Sequence, residues 1–185
     1  FVGTLSGLQH YSADADRFTD IPLILQDGII VEPNVAAIEE LSNGDLLVGT
    51  AGQGLFKITN THKGLVGISM EKRIPIPIVN ALHEDRNGNL WISAGENGIF
   101  RIDRNQQLHC YQNESEYTIS SICETPDKQI YIGSLGKGLL KYNPTLDLFE
   151  PIIYANHPEL PVKSLLLATP DEIYIGTDGY GLKVY

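Results

Sequence analysis

The sequence is poor in basic residues. Its 185 residues include 13 Lys and Arg against 23 Asp and Glu, which gives a formal net charge of −10. A nucleic-acid-binding surface needs clustered basic side chains that displace counterions from phosphates, so the composition argues against that class of protein. The same acidity disfavours binding to an anionic membrane surface. Neutral ligands and protein partners remain compatible with it.

Cysteines and long apolar runs are also scarce. Cys110 and Cys123 are the two cysteines, and a disulfide would require Cα atoms within about 7 Å. The simpler interpretation is two small buried side chains, and neither alternative fixes the cellular compartment. No apolar run approaches the ~20 residues that span a bilayer. The chain begins inside a repeat with no visible signal peptide, which suggests a piece of a longer protein whose membrane attachment lies in other segments.

What the sequence does contain is a repeat. Residues 79–103, VNALHEDRNGNLWISAGENGIFRID, have counterparts beginning at Val35, Ile119 and Val162, and a truncated copy opens the chain at Phe1. A small residue recurs in the second apolar run of every copy, 40 to 46 residues apart: Gly3, Gly49, Ser93, Gly133 and Gly176. This period, with alternating rather than helical patterning, predicts β-propeller blades of four short strands.

The four strands of one unit, A to D, are separated by polar turns rich in Gly and Asn. In the unit 79–118 the predicted strands are 79–84, 90–94, 99–103 and 108–112. The preceding unit gives 35–40, 46–49, 55–59 and 66–70, the following one 119–124, 130–133, 139–143 and 148–153, and the last 162–168, 172–176 and 182–185. The opening copy gives a B strand over Phe1–Thr4 and a D strand over Arg17–Ile21.

The predicted fold class is therefore all-β, a β-propeller fragment of about four antiparallel four-stranded blades with partial blades at both ends. We expect one domain over 1–185, with blades near 1–34 (partial), 35–78, 79–118, 119–161 and 162–185 (partial). Prolines mark the crossovers between blades, where a missing N–H is tolerated. The unpaired terminal edges predict pairing with a second chain.

The recurring residues have structural interpretations. An aromatic in the B strand (Trp91, Tyr131, Tyr174) is large enough to fill the wedge between adjacent blades. The small residue two positions later lets neighbouring backbones approach, and a later glycine (Gly54, Gly98, Gly138, Gly181) supplies positive φ or close approach where the C strand begins.

Residues 79–103 closely resemble the two-component-regulator propeller repeat; neither a Trp-Asp strand end nor a Gly-Gly pair, the marks of WD and kelch repeats, is present. Leu47 in place of the aromatic, and residues 168–171 (Ala-Thr-Pro-Asp) where Glu-Asp is usual, depart from the pattern. The resemblance implies the periplasmic sensor region of a hybrid two-component histidine kinase and regulator. In that family two seven-bladed propellers precede a β-sandwich, a membrane helix and a cytoplasmic kinase.

Catalytic chemistry is not evident. The five histidines lack metal-ligand spacing,. Residues 85–89 resemble the start of a calcium loop, but their Gly stands at the fourth position rather than the sixth, and a hairpin turn explains them. The acidic pairs Glu39-Glu40 and Glu84-Asp85 are expected at solvated strand ends, because neighbours on a strand point to opposite faces. We therefore predict no catalytic residue, no metal and no cofactor.

Binding is predicted on the propeller face where B–C loops and D–A connections emerge. A sugar is held by planar polar groups and an aromatic platform, and these segments offer both: Gln53, Glu96, Asn97, Lys137, Tyr154, Asn156, Asp178 and Tyr180. The function expected is non-catalytic recognition of an oligosaccharide or other small ligand by a periplasmic sensor. The alternatives are a scaffold or dimerisation propeller with its ligand bound elsewhere, and a glycan lyase or hydrolase.

Overall fold

The computed structural model describes residues 1–62, 64–70, 73–111, 118–153 and 159–185. It comprises two compact units, Phe1–Asn80 and Ala81–Tyr185. Apart from a short 3₁₀ helix at Gly95–Asn97, the regular structure in these ranges is β-strand. None of the described residues forms a helix with the length and apolar character required to cross a bilayer. That the chain is a single domain stays a prediction.

The first unit contains two sheets. Sheet I has the order β1 (Val2–Thr4), β2 (Gly7–Ser12), β3 (Arg17–Ile21). Sheet II consists of β4 (Leu23–Ile24), β5 (Ile30–Val31), β6 (Val35–Glu40), β7 (Leu46–Thr50), β8 (Leu55–Thr61) and β9 (Gly64–Ser69), in the order β5-β4-β9-β8-β7-β6. The hydrophobic core of the first unit includes Leu8, Leu23, Val48 and Phe56.

The second unit contains three sheets, each a meander of consecutive antiparallel strands. Sheet III is β10 (Ala81–Glu84), β11 (Leu90–Ser93), β12 (Ile99–Ile102) and β13 (Leu108–Tyr111). Sheet IV is β14 (Ile119–Glu124), β15 (Ile130–Ser134), β16 (Gly138–Asn143) and β17 (Leu148–Ile152). Sheet V is β18 (Val162–Thr169), β19 (Glu172–Thr177) and β20 (Leu182–Val184).

The meanders confirm the predicted all-β fold with four-stranded antiparallel blades. The strands β3, β6 and β14 have the predicted bounds, and most other ends shift by one or two residues. The largest shifts, of two residues, are at the end of β8 and at the starts of β9 and β10. Strand β10 begins at Ala81 because Val79 instead donates its N–H to the Thr50 carbonyl at 2.8 Å. The predicted 95–98 turn is the 3₁₀ helix.

The segment between the first two repeats was wrongly expected to be a plain crossover. It forms the hairpin β4–β5, and β4 pairs in parallel with β9, so that sheet II has six strands instead of four. Gly67 makes this pairing feasible, because a side chain there would overlap Leu23, which is fully buried. The Gly67 N–H also donates to the Pro22 carbonyl at 2.8 Å.

The small residue of the B strand performs its predicted role in sheets I to IV. A Cβ on Gly3 would stand 2.5 Å from Val35 Cγ1, one on Gly49 would stand 2.9 Å from Val79 Cβ, and one on Gly133 would overlap Val162. In sheet III, Ser93 Oγ instead donates to the Ile119 carbonyl at 2.8 Å. The small residue thus lies against the first A-strand residue of the next repeat. Gly54, Gly98, Gly138 and Gly181 all have positive φ, as predicted.

The B-strand aromatics differ in burial. Trp91 is enclosed by Tyr111, Tyr142 and Phe149, with ring centroids 4.9–5.8 Å apart. Tyr131 is buried beside Tyr185, whereas Tyr174 remains 36% exposed. The wedge-filling prediction is confirmed for Trp91 and Tyr131. For Tyr174, which lies on the last sheet of the sequence, it stays a prediction.

Candidate functional site

The B–C loops share one backbone design. Thr50 Oγ1 donates to the Gly54 carbonyl at 2.8 Å and accepts the Gln53 N–H at 3.0 Å. Ser134 Oγ accepts the N–H groups of Gly136 and Lys137, and Thr177 Oγ1 donates to the Gly181 carbonyl. These short side chains satisfy the loop backbone locally, as Ser and Thr do in tight turns. The loop conformation is therefore fixed by the Ser or Thr and the final Gly.

Sheet III lacks this hydroxyl, because Ala94 occupies its position. Its loop forms the 3₁₀ helix Gly95–Asn97 instead, and Asn97 donates its N–H to the Ala94 carbonyl at 3.1 Å. Gly98 then closes the loop with φ +90°.

Three of the loops are each tied to the segment that leads into the A strand of their own repeat. The N–H groups of Ala51, Leu135 and Asp178 donate to the carbonyls of Asn34, Thr118 and Pro161, each at 2.9 Å. In the first unit the Pro77 carbonyl also accepts the N–H groups of Gly52 and Gly54. B–C loops and D–A connections thus lie together where both are described, which is the arrangement the candidate site requires.

One side chain in each loop precedes the closing glycine, and it differs in every repeat. These residues are Gln53, Asn97, Lys137 and Tyr180. The side chains of Gln53, Asn97 and Tyr180 are exposed, and that of Lys137 is half-buried. Asp178, two residues before Tyr180, is exposed and pairs with Lys163 Nζ at 3.0 Å. Glu96 lies in the middle of the 3₁₀ helix.

Two of the predicted candidates, Tyr154 and Asn156, lie outside the described residues. The other six candidates are divided between the units: Gln53 belongs to the first, and the second holds Glu96, Asn97, Lys137, Asp178 and Tyr180. Their role in binding stays a prediction.

Gln53 lies in a cleft of about 380 Å³ within the first unit. The cleft is lined by Leu25, Gly52, Gln53, Gly54, Pro75, Ile76 and Pro77. Its walls consist mostly of apolar side chains and backbone atoms, and Gln53 contributes a side-chain amide. Sequence reasoning found Gln53 but missed Leu25, because that residue arrives through the unexpected β4–β5 hairpin.

A second cleft, of about 510 Å³, opens in the second unit at the A–B turns. It is lined by Thr125, Pro126, Asp127, Tyr131, Pro170, Asp171, Ile173 and Tyr185. Burial first, and then the proximity of Tyr185, raises the pKa of Tyr131 to about 12, so its hydroxyl stays protonated at neutral pH,. The sequence analysis had placed candidate binding residues only at the opposite end of the strands, where the B–C loops lie. The prolines of the two A–B turns, Pro126 and Pro170, were the sequence feature that could have indicated this cleft.

The acidic pair at residues 84–85 does not form a solvated edge. Asp85 is buried, and its Oδ1 accepts the N–H groups of Asn87 and Asn89 at 2.9 and 2.8 Å. Its Oδ2 accepts from Asn89 Nδ2 and from Trp91 Nε1, both at 2.8 Å. The carboxylate therefore holds the A–B hairpin turn and the indole in place, and the solvated-edge expectation was wrong for Asp85.

Neither metal nor disulfide chemistry appears among the described residues. No group of three or more His, Cys, Asp or Glu side chains there is placed to hold a metal ion. Cys110 and Cys123 are both free thiols. Cys123 is buried as predicted, whereas Cys110 is exposed, so the interpretation as two buried side chains was wrong for Cys110.

Comparison with solved structures defines the fold. The chain is similar to the extracellular domain of the hybrid two component system BT4673 from B. thetaiotaomicron, with a TM-score of 0.77 and 21% identity over 98% of this chain and 25% of that one. The corresponding domain of BT3049 from B. thetaiotaomicron gives a TM-score of 0.76 and 18% identity over 97% and 24% of the two chains. A streptogramin B lyase gives a TM-score of 0.62 and 16% identity over 98% of this chain and 62% of that one. The chain has the fold of a β-propeller and spans about a quarter of the first two structures.

The family of the repeat follows from the sequence of one unit. Residues 74–96 match the model of the two component regulator propeller. The chain carries a repeat of that family, which confirms the resemblance seen in residues 79–103. No curated protein matches the chain.

Proposed function

We propose that this chain is a non-catalytic ligand-recognition part of the extracytoplasmic sensor of a two-component system. The observation that carries the proposal is the two component regulator propeller match at residues 74–96. Similarity to the extracellular domains of two hybrid two component systems, over nearly the whole chain, supports it further. A periplasmic location and a histidine kinase in the full-length protein belong to the same proposal.

Glycan fragments are the ligand class proposed. Sugars are recognised by planar polar groups beside apolar or aromatic surfaces. The first unit offers the Gln53 amide within a proline-walled cleft. The second unit offers Asn97, Lys137 and Asp178, with the exposed ring of Tyr180 as a platform.

A loop with a fixed backbone and one variable side chain suits such recognition. The Ser or Thr side chain and the closing Gly hold the loop through local hydrogen bonds. Little ordering of the loop is then required on binding, which lowers the entropic cost of association.

Titration calorimetry of the full chain against a panel of oligosaccharides tests the proposal. We expect at least one oligosaccharide to give a measurable heat of binding. Gln53→Ala or Tyr180→Ala should lower the affinity for that ligand about tenfold or more. Gln107→Ala is the matched control, because Gln107 is an exposed Gln in a C–D turn at the other end of its sheet. Absence of heat across a broad panel would contradict glycan recognition by this chain.

The lyase or hydrolase alternative receives less support. Likeness to a streptogramin B lyase is a likeness of fold, which hosts many functions,. The carboxylate of Asp85 already accepts four hydrogen bonds from its own hairpin and Trp91, so it is not free to act on a substrate. We expect no turnover of any polysaccharide by the chain. Product formation that is lost in Glu84→Gln would overturn this expectation.

A further inference from the structure

The cleft that holds Gln53 has one wall that is particular to sheet II. β4 pairs in parallel with β9, so the tip of the β4–β5 hairpin lies beside the end of β9 that leads to the next repeat. Leu25, at this tip, is half-buried and lines the cleft. As described, sheets III and IV contain four strands each, without an added hairpin. The cleft is therefore a feature of sheet II rather than of the repeat in general.

The hairpin tip is held in place by its own hydrogen bonds. Leu25 donates its N–H to the Ile29 carbonyl at 2.8 Å, and its carbonyl accepts the Gly28 N–H at 3.0 Å. The Gln26 side chain donates to the carbonyl of Ser69, a buried residue at the end of β9. This wall therefore belongs to the folded unit, and a ligand does not have to order it.

A second wall is the segment that leads from sheet II towards the next A strand. Ile74 and Ile76 are 3% and 5% exposed, whereas Pro75 and Pro77 are exposed and line the cleft. Ile76 donates its N–H to the Ile74 carbonyl at 2.9 Å. Because a proline has a fixed φ and no N–H, the two exposed residues form a rigid apolar surface that brings no donor of its own.

The backbone donors of the B–C loop are also used within the fold. Gly52 and Gly54 donate their N–H groups to the Pro77 carbonyl at 3.1 and 2.7 Å. Gln53 donates its backbone N–H to Thr50 Oγ1 at 3.0 Å. Together with the bonds of the two walls, this leaves the side-chain amide of Gln53 as the one N–H donor that the described lining residues offer to a ligand.

This balance of apolar surface and a single donor selects the chemistry of a ligand. None of the described lining side chains is charged, and the chain has a net charge of −10, which disfavours an anionic sugar,. A fully hydroxylated sugar face would exchange its water for apolar walls and one amide, which is costly. A methyl group attached to a carbonyl matches both the walls and the donor.

We propose that the Gln53 cleft binds the acetamido group of an N-acetylated sugar. The carbonyl of that group accepts a hydrogen bond from the Gln53 amide, and its methyl lies against Leu25 and the proline rings. The inference rests on the proposed function and narrows its ligand class to glycans that contain an N-acetylhexosamine. The cleft, of about 380 Å³, is near the lower end of small-ligand pockets, roughly 300–1,000 Å³, and so suits a short glycan or the end of a longer one,.

Titration calorimetry of the full chain with two matched disaccharides tests the proposal. N,N′-diacetylchitobiose and cellobiose have the same linkage and ring configuration, and acetamido groups in the first replace hydroxyls of the second. We expect the acetylated disaccharide to bind at least about tenfold more tightly, because cellobiose leaves the methyl contact and the Gln53 bond unmade.

Three variants locate the contact. Gln53→Ala should lower the affinity for diacetylchitobiose about tenfold or more and remove the preference over cellobiose, because it removes the donor. Leu25→Ala should lower the affinity about 3- to 10-fold, because the methyl loses apolar contact. Ile29→Ala is the matched control and should leave the affinity unchanged. Ile29 is exposed on the same hairpin, does not line the cleft, and bonds Leu25 through its backbone carbonyl.

The contrary outcomes separate this inference from the proposed function. Equal affinities for the two disaccharides would overturn the acetamido assignment while glycan recognition stands, as would a preference that survives Gln53→Ala. Heat from other oligosaccharides but none from diacetylchitobiose would also overturn this inference alone. Acetyl-trialanine amide that binds as tightly as diacetylchitobiose would assign the cleft to peptides instead. Silence across the whole panel of sugars would contradict both the inference and the proposed function.

Discussion

Gly133 of sheet IV lies directly against Val162, the first residue of the next sheet. A Cβ on Gly133 would overlap the Val162 side chain and stand 2.6 Å from Ser121 Oγ. Gly3 and Val35 repeat this relationship in the first unit, as do Gly49 and Val79. At these three contacts, successive repeats approach closely because the B-strand residue has no side chain.

Gly133→Ala is expected to destabilise the fold by about 1–3 kcal/mol, the usual cost of overpacking a close-packed interior. Val162 is fully buried and has no room to yield. Gly176→Ala is the matched control, because its nearest neighbour is the Ser164 hydroxyl, which rotates away. Urea denaturation followed by Trp91 fluorescence measures both. Equal losses in the two variants would contradict the contact argument.

Asp85→Ala is expected to cost about 2–3 kcal/mol, because it leaves the buried Trp91 N–H and two turn amides without their acceptor,. Asp103→Ala is the comparison. Asp103 accepts the turn N–H groups of Asn105 and Gln107 in the same way and contacts His109 Nε2 at 3.2 Å, but it holds no indole. Its loss should be smaller by about 1 kcal/mol, the value of one hydrogen bond. Urea denaturation midpoints of the two variants measure this difference. A larger loss of stability in Asp103→Ala than in Asp85→Ala would contradict the prediction.

The stability contribution of Asp147 is expected to depend on pH. Hydrogen bonds from Tyr111 and then Tyr142 hold the pKa of its carboxyl below the ordinary value, with Arg101 assisting. A lowered native pKa stabilises the fold above the unfolded value of about 3.9 and loses that effect as the pH falls through the native pKa. Because the side chain is half exposed, the effect is about 1 kcal/mol or less,.

Asp147→Asn should therefore be less stable than wild type at pH 7, with the difference shrinking below about pH 4. Thermal melts across this range measure it. Asp14→Asn, which alters an exposed carboxyl in the turn between β2 and β3, serves as control. A gap between Asp147→Asn and wild type that grows on acidification would contradict the sign of the argument.

The two thiols are expected to react at very different rates. Burial raises the pKa of Cys123 to about 11, so at pH 8 only about one molecule in a thousand carries the thiolate there,. Cys110 is exposed. Iodoacetamide labelling with peptide mass mapping should modify Cys110 first, and Cys110→Ser should remove the fast phase. Comparable rates at both positions would be inconsistent with the burial of Cys123.

Much of the fold was predictable because each repeat is locally consistent. Alternating apolar residues placed the strands, and Gly88 in the A–B turn and Gly138 at the start of β16 marked backbone with positive φ,. The role of Gly133 followed from its recurrence alone. These features depend on residues close in sequence, which a repeat displays several times over.

The features that escaped prediction depend on distant partners. The β4–β5 hairpin is positioned by Gly67, more than forty residues beyond Leu23. Asp85 is buried because the Trp91 indole needs an acceptor, which a turn motif does not reveal. For the candidate site, the sequence located the loops and their exposed side chains, but the clefts were not predicted because their walls combine several segments.

The hydroxyl-and-glycine design of the B–C loops has an evolutionary consequence. Gln53, Lys137 and Tyr180 occupy the same place in three loops, yet their side chains make none of the cited loop bonds, which join backbone groups to the hydroxyls of Thr50, Ser134 and Thr177. A single codon change at such a place exchanges one displayed chemical group for another without a folding defect. Related chains can thus diversify what they display one blade at a time, while selection for stability acts on other codons.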